Sequence, residues 1–284
     1  MECGSAARRD KCCWATLLTH ARYLPGVAVL RHSMVSNGTI YPLVVMTTDQ
    51  VNEETCDVLR TMGCVVRSVP PWTVDVSGRS MASARFANVW TKLRAFRLVE
   101  YERVVLIDSD MLARGGMDEL MNMDLPAGCI AACSACTCNP NRIQTYPANW
   151  IPENCAYTER EHGIAASFPM PAYPDPHGLL NSGTVVINPS LEQEYAIQGF
   201  IDNNLGRVAQ YKFPDQDLLA DVYSGRWVPL PWYYNALKTL RRCHTNLWAD
   251  EQVRMVHYIL ECVHANEEAV ELRSKCPKCT GRRG

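Results

Sequence analysis

Apolar residues in the first part of the chain fall into short continuous runs separated by stretches of helical period. Residues 14–19, 41–47 and 64–69 read as strands, and residues 25–35 and 53–62 between them as helices. That is a βαβαβ opening. Residues 87–100 place Val89, Leu93, Phe96 and Leu98 at roughly helical spacing and lead into 103–107, a continuous apolar run of the kind found in strands buried on both faces. A parallel sheet covered by helices satisfies this alternation most simply. From 127 to 176 prolines, asparagines and cysteines dominate and the periodicity is lost, so an elaborated loop region is expected there. Order resumes with a strand at 183–187 and helices at 191–203 and 215–223. Past Glu261 the chain is charged and cysteine-bearing, without a core pattern, and no internal repeat or low-complexity tract is present.

Length and composition fit that picture. At 284 residues with 47% hydrophobic and 20% charged positions, the chain has material for one large core, expected over 14–261, with 1–13 and 262–284 as poorly defined termini. A formal charge of −2 supplies no basic field of the kind that draws proteins to nucleic acid or anionic membranes. No run of about 18 apolar residues occurs, and the polar N-terminus lacks the apolar core of a secretory signal. A cytoplasmic protein with neither a membrane nor a nucleic-acid partner is expected. Its 14 cysteines would then be mostly reduced thiols, several of them small buried hydrophobes such as Cys64 before Val65 and Val66.

The sharpest chemical feature is Asp108-Ser109-Asp110, directly after the buried strand. In open α/β sheets ligands bind beyond the carboxyl ends of strands. Two carboxylates there could hold a divalent cation, which would neutralise a diphosphate. In isolation the same triplet reads as a strand-ending turn with solvated acids. Likewise Lys92 alone reads as a surface lysine, and His257, closing the apolar stretch 253–256, as a hydrogen-bonded structural group.

Order and spacing change that reading. Thr91-Lys92-Leu93, Leu106-Ile107-Asp108-Ser109-Asp110, Leu180-Asn181-Ser182-Gly183, Asp215-Gln216 and Val256-His257-Tyr258 follow one another as they do in glycosyltransferase family 8, which the chain resembles over about 14–261. Thr16, Leu17, Tyr23 and Gly26 look like that family's nucleotide-binding first βα unit. The resemblance implies a GT-A fold, an α/β Rossmann-like nucleotide-sugar-binding architecture with a mostly parallel central sheet. It also implies a retaining transfer of a hexose from a UDP-sugar to a small-molecule or glycan acceptor, with Mn²⁺ as cofactor. Asp108, Asp110 and His257 would be the metal ligands. Two carboxylates and an imidazole suit Mn²⁺ better than the all-oxygen cages of Ca²⁺ or Mg²⁺. Ser109 would contact the donor, Lys92 would reach its sugar or phosphate, and Asn181, Ser182 and Gly183, placed just before a strand, would hydrogen-bond sugar hydroxyls. Asp215 and Gln216 would form the acid–amide pair beneath the reactive face of the sugar; as residues alone they equally fit an acidic first helical turn. A homodimer is compatible with all of this.

Departures from the family pattern bear on activity. Members follow the histidine with Lys-Pro-Trp, whose lysine helps hold the diphosphate, whereas here Cys262-Val263-His264 stands nearby. One lost charged hydrogen bond is worth about 1.5–3 kcal/mol. A catalytically impaired homologue that binds nucleotide-sugar or a protein partner is therefore the second expectation. Phosphoryl transfer is disfavoured because no phosphate-gripping glycine loop accompanies the acids. Tyr211-Lys212-Phe213-Pro214 replaces an acidic, glycine-rich approach to the Asp-Gln pair, and 232–238 resembles the galactinol-synthase side of the family, which disfavours self-glucosylation. Tyr146 and Trp150 could stack on an acceptor sugar or form loop core. Cys133, Cys136 and Cys138, with Cys155, could bind zinc or cross-link, and Cys276-Pro-Lys-Cys279 is half of a zinc ribbon by spacing. The two groups are far apart in the chain, so free thiols or local cross-links are favoured over structural zinc.

Overall fold

The computed structural model describes residues 10–72, 89–166 and 168–259. The Cys262–His264 segment and the Cys276/Cys279 pair lie outside them. Among the described residues ten strands form two sheets: β1 (Cys12–Leu18), β2 (Leu43–Thr47), β3 (Val65–Ser68), β4 (Arg103–Ile107), β5 (Met111–Ala113), β6 (Ile130–Ser134), β7 (Leu180–Ile187), β8 (Trp227–Leu230), β9 (Ala236–Leu237) and β10 (Met255–His257). The main sheet runs β3-β2-β1-β4-β7-β6-β8, and the small one β5-β10-β9. In the main sheet β3, β2, β1 and β4 are parallel, β7 is antiparallel to both β4 and β6, and β8 is parallel to β6.

Period-two alternation divides the strands between two cores. Cys13, Ala15, Val104 and Leu106 face one cluster together with Trp90, Phe96, Ile197 and Leu218. Cys12, Trp14, Val105 and Ile107 face the other, with Val27, Leu30 and Leu59 from the helices Leu24–Ser36 and Glu53–Thr61. Pro25 sits in the first turn of Leu24–Ser36, where its missing N–H is not needed, and Asn52 caps Glu53–Thr61 by accepting from the Thr55 N–H. No helix among the described residues is long and apolar enough to cross a membrane.

Three expectations change. The stretch expected as a helix at 87–100 is a 3₁₀ helix at Val89–Arg97, and Trp90, Thr91, Lys92 and Leu93 are all buried, so it does not present a single apolar face. Inside the supposed loop region lies β6, a fully buried member of the main sheet. The strand expected at 183–187 begins at Leu180, which puts Asn181, Ser182 and Gly183 within β7 rather than before it. There the pairing register with β6 slips between Ala132 and Cys133, so that Asn181 faces Cys133. Such irregularities re-aim polar groups beside sites.

Candidate active site where the two sheets meet

Asp108, Ser109 and Asp110 carry the chain from the end of β4 to the start of β5, and so from one sheet into the other. Backbone hydrogen bonds fix both ends: the Asp108 N–H donates to the Gly183 carbonyl at 3.0 Å, and the Tyr258 N–H donates to the Asp110 carbonyl at 3.0 Å. The β5–β10 ladder pairs His257 with Met111, which brings the imidazole over the acidic turn. Its Nε2 lies 3.3 Å from Asp110 Oδ1 and 3.7 Å from Asp108 Oδ2. One ligating atom from each of the three lies within 4.8 Å of the others.

The histidine tautomer follows from its neighbours. Asn181 Oδ1 accepts the Gly183 N–H at 3.0 Å, which orients the Asn181 amide. Asn235 Nδ2 therefore donates to that same Oδ1 at 2.6 Å, leaving Asn235 Oδ1 to face His257 Nδ1 at 2.8 Å. Nδ1 carries the proton, and in the neutral ring Nε2 presents a lone pair to the two carboxylates. Three electron-rich atoms turned toward one point fit a divalent cation, and an Nδ1–H held by a side-chain oxygen is the usual support of a metal-bound histidine. Asn235 was not singled out in the sequence, where only the resemblance of 232–238 to relatives pointed toward it.

Two glycines permit the close packing. A Cβ at Gly26 would stand 2.8 Å from the Ser109 carbonyl oxygen, so the first turn of Leu24–Ser36 abuts the acidic turn. At Gly183 it would stand 2.5 Å from Cε1 and Nδ1 of His257.

Lys92 is buried, not solvated. Its Nζ lies 2.9 Å from Asp108 Oδ1 and 2.5 Å from Asp215 Oδ2, and donates to the carbonyl and hydroxyl of Ser182 at 3.1 and 3.2 Å. Burial works against its charge, but Asp108 and Asp215 outweigh it and hold its pKa above the usual lysine range. Asp215, on the helix Pro214–Val222, also accepts the Ser182 hydroxyl at 2.6 Å. Although burial raises its pKa, Lys92 and Ser182 prevail, and the carboxyl sits below its ordinary value. Asp108 goes the other way, because burial outweighs the help of Lys92 and His257 and Asp110 repels it. Asp110, whose side chain is more than half exposed, loses part of its solvent but is lowered on balance by the hydrogen bond and charge that His257 offers it when the ring is protonated and no metal intervenes.

Gln216 accepts from Asn181 Nδ2 through Oε1 at 3.0 Å, which completes a chain of contacts from His257 through Asn235 and Asn181 to the acid–amide pair. The polar groups of Asn181 and Ser182 expected on sugar hydroxyls thus have protein partners. Thr16 and Leu17 lie at the carboxyl end of β1, just past the pairing of Ala15 with Leu106 on β4, and the buried Thr16 hydroxyl has no protein partner. Tyr23, half-exposed, accepts from Arg22 Nη2 at 2.9 Å immediately before the helix that packs on Ser109. Trp150, buried in the core, stacks on Phe213 with centroids 5.2 Å apart, and Tyr146 meets Phe213 edge-on at 5.1 Å, next to the helix bearing Asp215 and Gln216.

This architecture has solved counterparts. The galactosyltransferase LgtC, in complex with donor and acceptor sugar analogs, superposes with a TM-score of 0.58 at 18% identity, covering 87% of each chain. The fold is the GT-A fold of glycosyltransferases. In sequence, the chain is 27% identical over 237 residues to galactinol synthase 7 of Arabidopsis thaliana (83% of this chain, 68% of the relative). It is 28% identical over 223 residues to galactinol synthase 2 of Ajuga reptans (78% and 72%). The pattern described as Glycosyl transferase family 8 matches residues 15–262. The chain belongs to that family and is a hexosyltransferase enzyme.

Proposed function

We propose that this enzyme transfers a hexose with retention from a UDP-sugar to a small polyol, sugar or glycan acceptor, and that it requires Mn²⁺. The observation that carries the reading is the convergence of Asp108, Asp110 and His257 within 4.8 Å, with the Lys92–Asp215 pair beside them. The two carboxylates and His257 Nε2 would hold the Mn²⁺, which when bound neutralises the charge of the diphosphate leaving group.

Lys92, shared between Asp108 and Asp215, ties the metal end of the site to the acid–amide pair. Asp215, held ionised, supplies fixed negative charge where positive charge develops on the sugar carbon, an arrangement that needs no reorganisation during the reaction. Asn181 fixes the Gln216 amide beside it. Thr16, Leu17, Tyr23 and Ser109 border the nucleotide side, and the half-buried Tyr146 and Phe213, backed by the buried Trp150, offer an aromatic edge for an acceptor ring. Similarity to galactinol synthases supports a small polyol acceptor.

A UDP-release assay over UDP-glucose, UDP-galactose and UDP-N-acetylglucosamine, with and without Mn²⁺, tests this. Mn²⁺-dependent release from one of them is expected even without acceptor. Tight UDP binding with no release from any donor or acceptor would replace the enzyme by a nucleotide-sugar-binding homologue.

A further inference from the structure

Away from the acidic turn, the region after β6 folds back onto the segment that carries Asn235 and His257. Cys136 and Cys138 follow β6 directly, Cys155 precedes the short helix Ala156–Glu161, and His244 follows the helix Lys238–Cys243. One ligating atom from each of the four lies within 4.8 Å of all the others. The sulfurs of Cys138 and Cys155 are 3.1 and 3.4 Å from His244 Nε2. In a tetrahedral site with Zn–S near 2.3 Å and Zn–N near 2.0–2.1 Å, ligand atoms stand about 3.5–3.8 Å apart, so the observed spacings lie within a few tenths of an ångström of a filled shell.

The histidine is set for the task. His244 Nδ1 lies 3.0 Å from Glu161 Oε2, and Glu161 Oε1 accepts the Asn246 N–H at 3.1 Å, which holds the carboxylate still. A carboxylate on Nδ1 makes that nitrogen the donor and turns the Nε2 lone pair toward the sulfurs, the outer-shell support typical of zinc-bound histidine. Cys138, Cys155 and His244 are buried, inside the satellite core built by Trp232, Leu237 and Leu240. No disulfide forms among the described cysteines, and a disulfide would engage two sulfurs and leave the histidine without a role.

We propose that Cys136, Cys138, Cys155 and His244 form a structural Zn²⁺ site, separate from the Asp108–Asp110–His257 cluster. Three thiolates and an imidazole select zinc, whereas two carboxylates and an imidazole accept the harder Mn²⁺. All four positions are filled by protein, so the site is closed and structural rather than catalytic. Its ligands come from both sides of the satellite core, and the ion clamps the region after β6 to the segment 232–257. Neither the second half of a zinc ribbon nor the Cys276/Cys279 pair is needed, since the fourth ligand is a histidine far along the chain. Cys243, half-buried beside Cys136, lies outside the shell.

The test is the metal content of the full-length protein, purified without chelator and without a histidine tag, by elemental mass spectrometry. One zinc per chain is expected, retained through dialysis against a weak chelator that strips Mn²⁺. Replacement by Co²⁺ should give the thiolate charge-transfer band and intense visible bands of a tetrahedral sulfur site. Cys155→Ser should lose the zinc and lower the Tm. His244→Cys, which offers a fourth thiolate, should retain it, and Cys243→Ser should keep full occupancy. Were Cys155→Ser insoluble, the zinc content and cobalt spectrum of the wild type would still decide. Wild-type protein free of zinc whose Tm does not respond to added Zn²⁺ would overturn the proposal, as would a disulfide linking two of these cysteines in the intact mass, or loss of zinc from Cys243→Ser.

Discussion

His257 leaves no room for a side chain at position 183: a Cβ there would stand 2.5 Å from its ring. Gly183 has ordinary backbone geometry, so the contact rather than conformational freedom makes glycine necessary. Gly183→Ala should push the imidazole off Asp110 while the core stays intact. Support of this kind is worth about 10–100-fold in metal affinity. Titration of Mn²⁺ into the UDP-bound variant should show a loss of that size, and unchanged affinity would mean that His257 is not a ligand.

Lys92 departs furthest from what it suggests as an isolated residue. Read as a surface residue it would contribute little to stability, yet it is buried and paired with the buried carboxylate of Asp215 as well as with the partly exposed one of Asp108. Removing one partner of a buried pair typically costs about 3–5 kcal/mol, because the charge left behind has no compensation. Lys92→Met should therefore lose stability of that order in urea unfolding without metal, along with UDP release. A variant as stable as the wild type would show that the carboxylates take up protons or water at no cost.

How far the sequence alone carried depended on the range of the interactions involved. The strand Arg103–Ile107 and the helix Leu191–Asn203 came out at their observed bounds, since periodicity and capping are local. By contrast, β6 escaped because Ile130-Ala-Ala-Cys-Ser134 has a single β-branched apolar residue and sits among prolines and cysteines; its burial comes from β7 and β8 on either side. The metal-ligand candidates were legible through ordered motifs, as was Asp215-Gln216. The burial of Lys92 and the part played by Asn235 were not, because each depends on partners distant in the chain, and no spacing rule encodes the β10–β5 register that lays His257 over the acids. Of the cysteine cluster, Cys136, Cys138 and Cys155 are legible in the sequence and His244 is not, for the same reason: it follows the cysteines by a long stretch of chain.

Asp217 sets a pH dependence. Its Oδ2 accepts the backbone N–H groups of Lys212 and Phe213 at 2.8 and 2.9 Å, closing the entrance to the helix that carries Asp215. Burial pushes its pKa up to about 6, with Asp215 and Asp221 adding to the rise and the two backbone N–H bonds opposing it. An acid whose folded pKa exceeds its unfolded value of 3.8 binds more protons folded, so its contribution is complete below 3.8 and is lost as pH climbs through 6. Asn keeps an oxygen for the two N–H groups and cannot ionise. The stability of the wild type relative to Asp217→Asn should thus fall between pH 4 and 6 by at most about 1.4 kcal/mol per unit. Urea midpoints across that range measure it, and a flat difference would place the carboxylate in contact with solvent.

The two acids of the turn should separate when each is removed. Asp110 has a side chain 56% exposed, and His257 is the side chain it meets at ion-pair distance. Its carbonyl, which accepts from Tyr258, survives any substitution. Asp108 is more enclosed and is one of the two counter-charges of Lys92, a pairing that replacement would break. Asp110→Ala should consequently abolish Mn²⁺-dependent UDP release and leave the melting temperature nearly unchanged, as expected for an exposed position away from core and caps. Asp108→Ala should lose release and also shift the unfolding midpoint, since Lys92 then keeps only Asp215. Paired thermal melts and release assays on the two variants give the comparison. Near-normal release from Asp110→Ala would remove it from the metal site, and equal melting temperatures would show that Asp215 alone suffices to hold Lys92.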